Sequence, residues 1–186
     1  METGRGSLPF ALVHGEPLVA AAAWALGEAG VTIVDLGTGW EALRASGTPF
    51  VLHDALCPLT PPAFVVACVE HAEASAAVTV GVRPVTDTVK ELAEGRVGAT
   101  VDRAGLLQVV SPIVLPAAVV AALDGVPTTD FAALVAALAE RFPVETLEAP
   151  AEARRVADDA DLRVLEALTA PTAPTAQGSR TRPVDG

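Results

Sequence analysis

The chain repeats one pattern: short runs of apolar, often β-branched residues alternate with longer stretches whose apolar positions recur at helical spacing. Residues 31–36 and 77–82 are nearly continuous apolar runs, and shorter ones stand at 10–13, 50–53, 107–110 and 143–147. Such runs suit strands buried on both faces of a parallel sheet. Residues 16–29 read as a helix with Leu18, Ala21, Ala22, Ala25 and Leu26 on one face and Gly30 as its stop. Residues 60–74 read as another, with Val65, Val66 and Val69 inward and His71 on the surface, and a further helix covers 115–123 up to Asp124-Gly125. Thr128-Thr129-Asp130 offers an N-cap to a helix carrying Phe131, Leu134, Val135 and Leu138, and a last helix is expected over 158–168. This alternation predicts one α/β domain with a mostly parallel sheet and helices on both faces.

Composition narrows the function. The 51% hydrophobic content and mean hydropathy of +0.45 come largely from Ala and Val, and no apolar run reaches the roughly 20 residues of a membrane span. The start Met1-Glu2-Thr3-Gly4 does not lead from basic residues into an apolar signal core, so a soluble, cytoplasmic protein is expected. A net charge of −11 and a pI near 4.6 oppose binding to nucleic acid or an anionic membrane, while a local arginine cluster can still take a small anion. Cys57 and Cys68 make neither a disulfide framework nor a zinc-site spacing and read as buried or semi-buried thiols; Cys57 lacks an evident base that would make it a nucleophile. Gly37-Thr38-Gly39, without a following Lys and Ser/Thr, reads as a strand-to-helix turn rather than a phosphate loop. Residues 1–7 read as a flexible N-terminus and 170–186, rich in Pro, Thr and Ala, as a disordered tail.

Residues 84–112 differ from the Ala-rich remainder. Two β-branched arms, 86–90 and 98–103, flank the turn Glu94-Gly95-Arg96 and read as a hairpin. It carries the only lysine, Lys90, with Thr86-Asp87-Thr88 on one arm and Val101-Asp102-Arg103 on the other. Two readings fit: a solvated hairpin with an Asp–Arg surface pair, or a phosphomonoester pocket in which Arg103 forks onto the phosphate and Thr88 donates a further bond.

Pro84-Val85-Thr86-Asp87-Thr88-Val89-Lys90, then Thr100-Val101-Asp102-Arg103-Ala104-Gly105-Leu106 and Ser111-Pro112, resembles the arm of the 2-C-methyl-D-erythritol 4-phosphate cytidylyltransferases, where the pattern ends Thr-Pro-Gln. Leu52-His53-Asp54-Ala55 before Pro58 resembles the family's His-Asp-Ala-Ala-Arg-Pro strand end, with Cys57 where the pattern has arginine. Arg155-Val156 followed by Asp161-Leu162 resembles the family's Lys-Val and Glu-Asp-Leu segment, and Thr129-Asp130 matches a substrate-contacting Thr-Asp.

The resemblance implies a Rossmann-like, three-layer nucleotidyltransferase domain over residues 8–169 with a protruding β-hairpin arm. It also implies a homodimer whose arms cross, and transfer of CMP from CTP to a small sugar-alcohol phosphate with release of pyrophosphate. Thr88, Arg103, Thr129 and Arg155 are the substrate-phosphate residues it implies. Asp54, at the carboxyl end of its strand, is either the ligand of Mg2+ bridging nucleotide phosphates or a turn aspartate. Gly4-Arg5-Gly6 is either the remnant of a glycine-rich nucleotide loop or an ordinary flexible terminus. The family's opening strand is missing, and Leu8-Pro9 is followed by Phe10 where a cation is expected. Two function classes follow: a cytidylyltransferase with a degraded CTP-binding end, or a non-catalytic, dimerising or regulatory relative that pairs with itself or with an intact paralogue through the arm and holds a small phosphorylated ligand.

Overall fold

The computed structural model describes residues 6–35, 37–86, 88–93 and 95–170. A 3-10 turn at Leu8–Phe10 leads into a small antiparallel hairpin, β1 (Leu12–Val13) and β2 (Glu16–Pro17). Its two loop residues, His14 at φ 50° and Gly15 at φ 87°, both take the positive φ that a tight two-residue hairpin turn demands. The helix expected from Glu16 therefore starts later, as α1 (Leu18–Glu28), with Leu18, Ala22 and Ala25 buried and Gly30 at φ 75° closing it.

The strand expected over 31–36 does not form. Residues 31–35 take no regular structure, Ile33 and Val34 are 58% and 42% exposed, and Leu36 lies outside the described residues. An apolar run becomes a strand only where another strand accepts its backbone bonds, and among the described residues none pairs with this one. Gly37-Thr38-Gly39 is a turn into a helix, as expected; the Asp35 carboxylate accepts from Gly37 N at 2.7 Å. That helix is α2 (Trp40–Ser46), whose extent the sequence did not set. It is pinned by Trp40 Nε1 donating to the Leu123 carbonyl at 2.8 Å and by an edge-on Trp40–Phe50 contact.

The main sheet is built from β3 (Phe50–Leu52), β4 (Val78–Pro84), β7 (Leu107–Leu115) and β8 (Val144–Glu148), in the order β3-β7-β4-β8. β4 and β8 pair in parallel and β7 is antiparallel to both β3 and β4, so three of the four strands share a direction and β7 is reversed. Between β4 and β7 lies the arm, β5 (Val89–Ala93) and β6 (Arg96–Val101), a separate two-stranded ribbon with Gly95 at φ 76° in its turn.

α3 (Pro62–Ser75) covers one face of the sheet. Its inward residues are Val65, Cys68 and Ala72, while Val66, expected inside, is 36% exposed because it sits on the opposite side of the helix. α4 (Ala117–Ala122) and α5 (Phe131–Ala139) cover the other face, where Val78, Val80, Val82, Ile113 and Leu115 meet Val119, Val120, Leu134 and Leu138. Each fully buried Val or Leu there contributes roughly 1.5–3 kcal/mol. The fold is thus the expected three-layer α/β arrangement, with one strand of the sheet reversed. The last helix, α6 (Asp159–Thr169), joins α1 and β1 in a second apolar cluster of Val13, Leu18, Leu56, Val156 and Leu165.

The β4–β7 ladder carries a bulge. Val80 faces Ile113 and Val82 faces Val109, so two steps along β4 correspond to four along β7. Pro112 has no N–H to give a ladder, and the extra residues accommodate it. Gly81 lies opposite: a Cβ there would stand 3.0 Å from the Ser111 carbonyl oxygen and 3.3 Å from Phe64.

Candidate functional site

At the end of the sheet where β3, β4 and β8 finish lies an open cleft of about 770 Å³. Asp54 and Cys57 form one wall; residues 107–111 of β7, residues 128–132 at the start of α5, and Arg155 complete it. The carboxyl edge of an α/β sheet is where ligands commonly bind.

Asp54 organises the floor of the cleft. It is 4% exposed, its backbone N–H donates to Ser111 Oγ at 2.8 Å, and its Oδ1 accepts from Leu56 N at 3.0 Å. Its Oδ2 accepts from Arg155 Nε at 2.9 Å, an ion pair across 101 residues of chain. The segment before α6 is brought to this point by Val156 N donating to the Leu56 carbonyl at 2.7 Å. The same segment is held from behind by Asp161, which accepts from Arg154 and from Ala157 N. Arg83 at the end of β4 donates to the Ala149 and Pro150 carbonyls, fixing the turn after β8.

Neighbouring groups are arranged for structure. The Cys57 carbonyl accepts from Thr60 Oγ1 at 3.0 Å and from His53 Nε2 at 3.1 Å. A ring nitrogen facing a carbonyl must carry the proton, so His53 Nδ1 is the bare nitrogen; it is buried and has no hydrogen-bond partner among the described residues. Burial pushes the His53 pKa down despite the adjacent Asp54. Burial, helped by Asp54, pushes the Cys57 thiol up to about 11, and burial pushes Cys68 up to about 12, so neither is a thiolate near neutral pH.

Of the residues singled out from sequence, Asp54, Thr129 and Arg155 meet in this cleft. Thr88 and Arg103 do not line it within the single chain. Both are exposed on the arm, where Arg103 donates to the Thr86 carbonyl and Lys90 Nζ to Thr100 Oγ1 at 2.5 Å. Gly6, at φ 49°, borders a different hollow beside Phe10 and Asp159, and Gly4 lies outside the described residues. The α5 cap is Asp130, whose Oδ1 accepts from Ala133 N at 3.0 Å, which leaves Thr129 exposed at the cleft rim. Gln108, Ser111 and Thr128 also line the cleft and were not singled out; a hydroxyl inside the apolar run of β7 was the signal that Ser111 has a partner to satisfy.

For Mg2+ the fit is poor. Among the described residues no group of three or more His, Cys, Asp or Glu side chains could hold a metal ion, and the buried Asp54 carboxylate is engaged by Arg155 and Leu56. A metal bound there would share its ligand with a guanidinium cation.

Residues 32–170, most of the chain, match the family model described as IspD, 2-C-methyl-D-erythritol 4-phosphate cytidylyltransferase. The chain belongs to that family. It is 42% identical over 124 residues to a 2-C-methyl-D-erythritol 4-phosphate cytidylyltransferase of Frankia casuarinae, covering 63% of this chain and 45% of that one. A protein of the same name from Nocardia farcinica is 39% identical over 122 residues, covering 64% and 52%. The chain thus spans about half the length of the curated relatives it matches. The crystal structure of the cytidylyltransferase from Thermus thermophilus superposes with a TM-score of 0.65 at 22% identity, over 88% of this chain and 94% of that one, which shows the shared fold. No helix among the described residues is long and apolar enough to cross a membrane.

Proposed function

We propose that this chain carries the acceptor half of a cytoplasmic cytidylyltransferase, its cleft receiving 2-C-methyl-D-erythritol 4-phosphate or a closely similar phosphorylated polyol. The observation that carries the reading is the meeting of Asp54, Thr129 and Arg155, drawn from three separated segments, in one cleft of a chain of this family. The guanidinium of Arg155 is one-third exposed at the cleft wall, and a phosphate there accepts charge-assisted bonds that are shorter and stronger than neutral ones. Thr129, Gln108 and Thr128 supply polar contacts for phosphate and hydroxyls.

In the reaction named by the relatives, an acceptor-phosphate oxygen would attack the α-phosphorus of CTP and pyrophosphate would leave. Acceleration comes mainly from positioning and from cations and amides aimed at the phosphate oxygens. Thr88 and Arg103 belong to this site only if the arm reaches a second copy, so the reading includes a homodimer. Exposed Leu92 and Val97 on the ribbon support it, since a lone two-stranded ribbon is marginally stable in water.

A second reading, a ligand-binding relative without turnover, is favoured by Phe10, 71% exposed where the resemblance expects a cation, and by the uncovered Ile33 and Val34. A pyrophosphate-release assay with CTP, Mg2+ and methylerythritol phosphate decides between them. With Phe10 where the resemblance expects the loop cation, turnover is expected about 10²–10³-fold below the usual 1–10³ s⁻¹. Turnover in the usual range, lost in Arg155→Ala, would remove the second reading. Absence of methylerythritol phosphate binding in calorimetry would remove both.

A further inference from the structure

An aspartate that is 4% exposed must have its charge compensated, and this one is compensated by protein. Asp54 Oδ2 accepts from Arg155 Nε at 2.9 Å, Oδ1 accepts from Leu56 N at 3.0 Å, and the backbone is tied to Ser111 Oγ at 2.8 Å. Arg155 is engaged through Nε and lines the cleft, and a guanidinium bonded at Nε keeps a second donor edge, formed by its two terminal nitrogens. A planar guanidinium can hold a carboxylate on one edge and fork onto a phosphate with another; a lysine ammonium at this position would offer no such fixed pair of edges. Mg2+ demands near-octahedral oxygen ligands, and among the described residues no group of three or more acidic, His or Cys side chains gathers to supply them.

We propose that Asp54 is a positioning residue, which sets the Arg155 guanidinium toward a phosphomonoester in the cleft, and that the phosphomonoester binds there without Mg2+. The inference rests on reading the cleft as a phosphate site, and it departs from the metal-ligand role that the strand-end aspartate suggested. Asp54 here acts through a cation supplied by the chain.

Four measurements test it. Calorimetry with methylerythritol phosphate should give the same Kd in Mg2+ and in EDTA, within about twofold; binding seen only with Mg2+ would overturn the proposal. Titration of the ligand-free protein with Mn2+, followed by electron paramagnetic resonance, should show no saturable site that Asp54→Asn removes; such a site would also overturn it. In urea unfolding, Asp54→Asn should lower the midpoint of the wild type by more than it lowers that of Arg155→Gln, the non-additivity of a coupled pair. Equal losses in both backgrounds would overturn the pairing. Arg155→Lys keeps the charge without the fork, and should weaken phosphate binding while the protein stays folded; affinity equal to the wild type would refute the role given to the guanidinium edge. If methylerythritol phosphate binds in neither buffer, the functional reading fails, while the Mn2+ titration and the urea cycle still decide the role of Asp54.

Discussion

Residues 6–49 and the sheet that follows them handle apolar residues in opposite ways. Of the twelve large apolar side chains exposed among the described residues, six (Phe10, Leu12, Val19, Trp24, Ile33 and Val34) fall before residue 35. In the sheet, Val78, Val80, Ile113, Val114 and Leu115 are all 0% exposed, with helices on both faces. Of the N-terminal part, α1 and the β1–β2 hairpin are held by one small cluster, in which Val13 and Leu18 reach Leu56, Val156 and Leu165, while α2 is tied to the sheet core through Trp40 and Leu43. The contrast shows that an apolar run is buried only when a pairing edge and a covering layer both exist: residues 31–35 have the composition of a strand and, among the described residues, lack both.

The sharpest way to break this comparison is truncation on each side. Ile113→Ala should cost roughly 2–5 kcal/mol in urea unfolding, as expected of a well-packed core position, whereas Ile33→Ala should stay within about 0.5 kcal/mol. Similar losses at the two sites would mean that residues 31–35 are packed after all. Gly81→Ala should cost about 1–3 kcal/mol, because the new methyl meets the Ser111 carbonyl and Phe64. A neutral outcome would show that the bulge yields. Asp130→Ala should cost about 1 kcal/mol through the lost α5 cap, measurable in the same unfolding assay.

A gentler test uses pH. Burial depresses the His53 pKa, so below about 6.5 the unfolded chain binds protons that the folded one resists. The stabilisation from the neutral ring is complete above the unfolded pKa and is lost as pH falls through the folded one. The unfolding midpoint of the wild type should drop over that window more steeply than that of His53→Asn; parallel profiles would assign the acid sensitivity elsewhere. The smallest signal is chemical: in the folded protein Cys57 and Cys68, pushed up to about 11 and 12, should react with a disulfide reagent only as fast as the chain opens.

Much of the fold was legible from residue 50 onward, since strands and helices there alternate with turn residues between them. The extent of α2 was not legible because seven residues give too little periodicity, and its anchor, the Trp40 contact with the Leu123 carbonyl, is remote in sequence. The candidate site was legible in part. Motif likeness pointed to Asp54, Thr129 and Arg155, but the pairing of Asp54 with Arg155 spans 101 residues and has no local signature. For the same reason the strand-end carboxylate could suggest a metal from sequence but could not show the arginine that pairs with it. Ser111 was visible only as the last letters of a motif, because its purpose depends on a backbone N–H in another loop.

Where two steps along β4 correspond to four along β7, the ladder is interrupted, and the parts of β7 on either side are held by separate sets of bonds. Val109, Gln108 and Leu107 continue toward the arm, while Ile113 and Val114 are locked against β3 and β4 together. A sliding or twisting of the arm that travels down β7 therefore meets a break at residues 110–112, before the doubly paired segment. The break separates the root of the arm from the doubly paired part of β7. A ribbon gripped by another molecule can bend to suit it, while Ile113 and Val114, paired on both sides, keep their place.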